Sequence, residues 1–370
     1  DTFNWDFPFP SDHYRISLID GSRELLKKKV RTVGDLSHSG RYDSYFNDEQ
    51  AQHYILDLEN NSATCVTCSV KDVNWLQDGN GAPHIQYPLG LLGWGTNEAS
   101  VFVQSEMDVW KFDLEDRTLS SITSQMGKEQ KIEFRTRKWE SDSIYFTPET
   151  IYLMGTDLKT KDEMIYLWME VGDDHHDLLK VYQTPHAINY VSKSKEGGKI
   201  LLRKSNLQDY ADLCVLNENF ENETRISQTN PQQNEYNWAT VELIDYTSYD
   251  GQKLQALLYK PEDFDAAKKY PMLVYFYELY TDRFHSYYAP KPTASIIYPT
   301  EYASAGYVIL IPDIRYVAGH PAKSAYNCIM ASTDAAIRKY PNIDSTRLGL
   351  QGQSWGGYQT AQLITMTKRY

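Results

Sequence analysis

A strand-rich array followed by a domain of alternating strands and helices is the fold class this sequence predicts. Three observations carry that expectation. Pairs of strands recur through residues 1–235 at a step of roughly fifty residues. From residue 236 onward, apolar strands alternate with helical stretches, the pattern of a parallel sheet. Near the end, Gly352-Gln353-Ser354-Trp355-Gly356 stands between a strand and a helix.

The bulk properties set bounds on the rest. The 370 residues suit about two domains and can bury a sizeable core. A net charge of −13 with no basic block excludes nucleic acid and anionic membrane surfaces as natural partners. No run of 18 apolar residues occurs, so no membrane span is expected. The opening Asp1-Thr-Phe-Asn-Trp-Asp6 has neither the charged nor the apolar region of a signal peptide, although a trimmed start would read the same. Twenty-nine tyrosines and eight tryptophans suit extensive sheet surfaces. Of four cysteines, Cys65 and Cys68 form a C-x-x-C in a predicted strand without a second ligand pair. They read as ordinary strand residues rather than zinc ligands or a redox pair. No cofactor is expected. No metal is expected either, since consecutive residues such as Asp173-Asp174-His175-His176-Asp177 cannot all face one ion.

In chain order, Tyr14–Ile19 and Arg23–Val30 flank Asp20-Gly21 and read as a hairpin. Strand pairs follow at Tyr42–Asn47 with His53–Leu58, Ser100–Gln104 with Val109–Leu114, Thr150–Gly155 with Met164–Glu170, and Lys199–Lys204 with Ala211–Leu216. The second strand of each pair ends near an acidic or amide residue: Asp57, Asp113, Glu170 and Asn217. The steps between these are 56, 57 and 47 residues. That is the scale of a propeller blade with insertions, so 1–235 reads as part of a β-propeller whose ring is incomplete. A β-sandwich is the alternative. Asn230-Pro231-Gln232-Gln233 reads as a linker. Beyond it, Val241–Tyr249 and Lys253–Tyr259 flank Asp250-Gly251 as a hairpin. Met272–Tyr277 and Tyr307–Ile311 are apolar strands. Ser324–Lys339 is helical, with Ala325, Cys328, Ile329, Ala335 and Ala336 on one side.

Arg347–Gly352 is the next strand, and the apolar cluster Ala361, Leu363, Ile364 and Met366 marks a helix after it. The residues between fit a nucleophile elbow. A serine at the apex of so tight a turn sits in strained backbone with its hydroxyl exposed. Small residues at Gly352, Gly356 and Gly357 let strand and helix approach. The amide of Trp355 falls at the helix N-terminus, where free N–H groups can hold an oxyanion.

These residues resemble a known family. Asp245–Gly251, Leu257–Pro261, Lys269–Tyr277, Ala305–Val308, Gly319–Ser324 and Gly352–Tyr358 resemble, in order and spacing, the catalytic domain of the prolyl oligopeptidase family of serine peptidases, especially its dipeptidyl peptidase branch. The resemblance implies a β-propeller over 1–235 and the N-terminal part of an α/β-hydrolase domain over 236–370. It implies Ser354 as nucleophile, the Trp355 backbone N–H as one oxyanion donor and the Tyr277 hydroxyl as the second. It also implies short peptides as substrates, with a homodimer as an open assembly state and a periplasmic or secreted location.

One departure is large. The triad order is Ser, Asp, His, yet the sixteen residues after Ser354 contain neither Asp nor His, and all nine histidines precede it. The expectation is a segment of a longer peptidase, silent by itself because the serine lacks a base. His285 and His320, the nearest histidines, are read as loop residues, not as substitutes. Two other functions stay open. One is a propeller with a catalytically silent hydrolase remnant that serves binding. The other is a carboxylesterase, which would lack the repeats and for which no HGGG-type stretch is present.

Overall fold

The computed structural model describes residues 9–32, 34–136, 151–171, 176–291, 293 and 295–370, which are mostly sheet. The chain divides into two compact units. One comprises Asp1–Gly79, His84–Asp157 and Met164–Tyr182, the other Asn80–Pro83, Leu158–Glu163 and Gln183–Tyr370.

In the first unit, Ser11–Ile16 pairs antiparallel with Arg23–Val30. Leu18 and Ile19, expected in the first strand, lie in its turn and are fully exposed. The turn closes earlier than expected because the Ser17 carbonyl accepts the Gly21 N–H at 3.0 Å. Three sheets then follow one another along the chain. They are built from Tyr42–Asn47, Gln52–Asp57 and Ser62–Cys65; from Leu91–Trp94, Ser100–Gln104, Val109–Asp113 and Leu119–Ser121; and from Ile132–Thr136, Ile151–Asp157, Glu163–Glu170 and His176–Thr184. In each, strands pair in chain order, antiparallel throughout the first two. Side chains in Ile151–Asp157 alternate between buried and half-buried, the two-residue period of a strand. Successive sheets share their apolar clusters. Phe46 and Ile55 of the first pack with Trp94, Val101 and Phe112 of the second. Phe102 and Val109 of the second pack with Phe134, Leu153 and Trp168 of the third.

The recurring strand-end residues have a physical job. Asp57 Oδ1 accepts the Glu59 N–H at 2.9 Å, Asp113 Oδ1 the Glu115 N–H at 2.9 Å, and Asn217 Oδ1 the Asn219 N–H at 3.1 Å. Each is an Asx turn, with a short side chain standing in for a backbone acceptor. Glu170 differs: it is paired with Lys111 instead. Thr150 and residues 173–175 of the acidic-histidine run lie outside the described residues, and His176 and Asp177 begin a strand. Among the described residues no group of three or more His, Cys, Asp or Glu side chains could hold a metal, and no helix is long and apolar enough to cross a membrane.

Cys65 and Cys68 are not ordinary strand residues. Cys65 ends its strand, Cys68 lies in the following turn, and the two are bonded as a disulfide. The turn that brings them together also covers His53: the His53 carbonyl accepts the Val66 N–H at 2.8 Å and Thr67 Oγ1 accepts the His53 N–H at 3.0 Å. The His53 ring packs edge-on against Phe46 and Trp75. Its Nε2 has no hydrogen-bond partner among the described residues. Burial therefore pushes its pKa down to about 4.

The second unit opens with a further sheet, Ala187–Lys193, Lys199–Ser205, Asp212–Asn217 and Thr224–Arg225. The expected linker forms a 3-10 turn over Pro231–Glu235. A five-stranded sheet follows, with strands β1 (Ala239–Thr247), β2 (Lys253–Pro261), β3 (Tyr270–Tyr275), β4 (Val308–Pro312) and β5 (Ile343–Gln351) in the order β1-β2-β4-β3-β5. Helices α1 (Pro299–Ser304), α2 (Pro321–Lys339) and α3 (Trp355–Met366) connect or follow them. The sheet is mixed, not wholly parallel. A tight turn at Gly251 (φ +90°) makes β1 and β2 antiparallel, and β2 is antiparallel to β4. Only β4, β3 and β5, joined through α1 and α2, run parallel. Helix α2 starts at Pro321, three residues earlier than expected, since proline at a first helical position lacks only an N–H that would go unused. It buries more than one narrow side: Met330, Ala331, Ser332 and Thr333 are inside as well, and the Ser332 hydroxyl is satisfied by the Ile329 carbonyl at 2.9 Å.

Two measurements check this description. An unfolded imidazole takes up its proton near pH 6.5, and His53 only near pH 4 in the fold. Stability should thus be complete above pH 6.5 and fall by up to about 1.4 kcal/mol per pH unit as pH drops toward 4. His53→Gln should flatten that part of the pH profile in urea titrations, and an unchanged slope would contradict the burial. Alkylating the unfolded chain before reduction should block Cys214 and Cys328 alone. Four blocked cysteines at that stage would rule out the Cys65–Cys68 bridge.

Candidate active site

The C-terminal ends of β3 and β5 are neighbours in the parallel part of the sheet, with Tyr275 opposite Gln351. Tyr277 lies two residues beyond the first and Ser354 three beyond the second. Ser354 is exposed and caps the N-terminus of α3. Its backbone, at φ 55° and ψ −114°, is outside every region that a side-chain-bearing residue adopts freely. Such a residue costs about 1–3 kcal/mol and persists only when its surroundings impose it.

Those surroundings are identifiable. A Cβ on Gly352 would collide with the Gly356 carbonyl, and a Cβ on Gly356 would collide with the carbonyl of Phe276 at the end of β3. Strand, turn, helix and neighbouring strand therefore meet backbone to backbone. The Gly356 N–H donates to the Gln353 carbonyl at 2.9 Å and the Tyr358 N–H to the Ser354 carbonyl at 3.1 Å, closing the turn. Gly357 was expected to share the steric role and does not. A Cβ there would sit 3.6 Å from the Gly352 carbonyl, an ordinary contact. Trp355 occupies the first helical position, whose amide the helix leaves without a carbonyl.

Tyr277 is half-buried, and its hydroxyl makes no hydrogen bond among the described residues. Its carbonyl is heavily used: it accepts the Tyr316 hydroxyl at 2.6 Å and the Gln359 side-chain amide at 2.8 Å. Tyr316 lies in the loop between β4 and α2, and Gln359 is fully buried on α3. Nε1 of Trp355 donates to the Tyr316 hydroxyl at 3.0 Å, and the Trp355 ring stacks on the half-exposed Tyr358 with centroids 4.8 Å apart. Burial raises the Tyr316 pKa, keeping its phenol neutral and able to donate.

The same loop fixes the chain beyond Tyr277. The Ile314 N–H donates to the Glu278 carbonyl at 2.8 Å, and Asp313 Oδ1 accepts the N–H groups of Tyr280 and Thr281 at 2.6 and 2.9 Å. Burial raises the Asp313 pKa, and these hydrogen bonds oppose the rise. Asp313, Tyr316 and Gln359 escaped the sequence reading. The available signal was position, since loops at the C-terminal ends of parallel strands converge.

No histidine pairs with the Ser354 hydroxyl among the described residues. His320 stands at the N-terminal boundary of α2 with no side-chain hydrogen bond to the helix, and it is exposed. His285 is buried, with Nε2 3.5 Å from Asp162 Oδ1 and a pKa lowered chiefly by that burial.

No protein-family model matches the chain. An uncharacterized peptidase of Bacillus subtilis (strain 168) is 26% identical over 149 residues, 37% of this chain and 21% of that protein. A putative dipeptidyl aminopeptidase IV from Bacteroides ovatus is similar in structure, with a TM-score of 0.64 and 14% identity across 98% of this chain. A post-proline cleaving enzyme from Rickettsia typhi has a TM-score of 0.54 at 14% identity across 97% of this chain. The chain covers 55% and 53% of those two structures, and its fold is similar to theirs.

The glycine geometry predicts effects of opposite sign. Gly356→Ala should destabilise the fold by about 1–3 kcal/mol through overpacking against Phe276. Gly357→Ala should stabilise it by about 0.5–1 kcal/mol, since alanine is the better helix residue. Urea midpoints of the two variants would decide, and equal effects would contradict the assigned contacts.

Proposed function

We propose that this chain belongs to a serine peptidase of the prolyl oligopeptidase type that hydrolyses short peptides through an acyl-enzyme on Ser354. The observation carrying this reading is the exposed, strained serine held at a glycine-lined turn between a parallel strand and a helix. The fold likeness to a putative dipeptidyl aminopeptidase IV and a post-proline cleaving enzyme, with the peptidase of B. subtilis, supports it. Residues 1–235 would form propeller blades that limit access to short substrates, a reading supported by successive sheets sharing apolar clusters. Residues 236–370 would form the nucleophile-bearing part of a hydrolase domain. The Cys65–Cys68 disulfide favours an oxidising, exported location.

In this mechanism Ser354 Oγ adds to the scissile carbonyl carbon while its proton passes to a histidine oriented by an aspartate. Both partners are proposed to lie beyond Tyr370. The carbonyl oxygen becomes an oxyanion and takes hydrogen bonds from the Trp355 N–H and the Tyr277 hydroxyl. Collapse breaks the C–N bond, the histidine returns its proton to the leaving amine, and water then releases the acyl group by the same route. The Tyr277 hydroxyl, free of other partners among the described residues, suits that task.

The alternative reading is a silent binding module. Fluorophosphonate labelling separates the two. In the full-length protein the reagent should modify Ser354, and Ser354→Ala should lower kcat by about 10⁴-fold or more. Residues 1–370 alone should show negligible turnover. Undiminished hydrolysis by Ser354→Ala would eliminate the peptidase reading.

A further inference from the structure

We infer that Tyr316 is a positioning residue whose hydroxyl sets the distance between the two oxyanion donors. The inference rests on the roles proposed above for Ser354, Trp355 and Tyr277. A tyrosine hydroxyl has one hydrogen to donate and two lone pairs to accept with. All three are used here. The proton goes to the Tyr277 carbonyl at 2.6 Å, and the lone pairs receive Trp355 Nε1–H at 3.0 Å and Gln359 Nε2–H at 2.6 Å. The second Nε2 hydrogen of Gln359 goes to the Tyr277 carbonyl at 2.8 Å, filling that oxygen as well. The Gln359 amide can face only this way, because the Tyr277 carbonyl accepts and cannot donate.

The consequence is geometric. One donor would be the amide of Trp355, on the residue whose indole is tied to Tyr316. The other would be the phenol of Tyr277, on the residue whose carbonyl is tied to Tyr316. A single hydroxyl oxygen thus links two segments that sequence keeps 78 residues apart. Oxyanion donors act by being in place before charge develops, and displacement of a few tenths of an ångström weakens them selectively in the transition state. Removing the hydroxyl should consequently lower kcat and leave substrate binding intact.

The experiment compares Tyr316→Phe with wild type in the full-length protein, using a chromogenic peptide substrate and a peptide boronic acid that forms a tetrahedral adduct on serine. The expected result is a fall in kcat of about tenfold with KM within about twofold, matched by an equal loss of boronate affinity. The Trp355 indole N–H resonance should shift, as its acceptor is gone. A kcat within twofold of wild type, or a rise in KM accounting for the whole loss, would overturn the inference. Should Tyr316→Phe fold poorly, Gln359→Met, which strips one donor from the same oxygen, serves in its place with the same criteria. The parallel Ser354→Ala variant separates the two levels. If it is inactive while Tyr316→Phe keeps its kcat, only the positioning role fails. If it stays active, the nucleophile assignment fails and the positioning role falls with it.

Discussion

The close approach of Gly356 to the carbonyl of Phe276 is the constraint on which the geometry around Ser354 depends. It forces α3 against the end of β3, and with Gly352 pressed on Gly356 it leaves the intervening residues one path. That path puts Ser354 at positive φ, a conformation that costs energy and that packing on both sides imposes. The exposure of the serine follows from the same geometry, because a turn this tight has no room to fold its apex inward.

Around that contact the second unit adds polar links. Asp313, Ile314 and Tyr316 all bind the chain leaving β3, so the segment carrying Tyr277 is fixed at its carbonyl, at Glu278 and at Tyr280. Asp313 and Gln359 are buried, and their links to half-buried Tyr277, Tyr280 and Tyr316 hold this segment in one arrangement.

Much of this was legible in the sequence because the decisive residues are contiguous. Gly352, Ser354 and Gly356 sit within five positions, and the strand before them and the helix after them are apolar in the right places. The Asx turns at Asp57, Asp113 and Asn217 were legible as a repeat, since a short acceptor at a strand end is a local signal. Glu170 misled because acidity mimics the signal without the reach that an Asx turn needs. The β1–β2 hairpin was legible at Asp250-Gly251, but its antiparallel pairing onto β4 in the same sheet was not, because alternation of elements does not encode which strands become neighbours. Tyr316 and Gln359 were invisible, as their contact spans 43 residues and a crossover. The Cys65–Cys68 bond was missed because it depends on how the chain bends after Cys65, and periodicity does not encode that bend.

The register of β3 against β5 has a further consequence for how such a domain can change over time. Tyr275 opposite Gln351 acts as a ruler, because each residue of slip along a strand moves its end by about 3.3 Å. The crossovers through α1 and α2 lie off that ruler. Insertions there would lengthen the molecule and leave the spacing of Tyr277 and Ser354 untouched, whereas one residue gained within β5 would carry the serine out of reach of its neighbour. Length is thus free to drift in the connections and frozen in the strands.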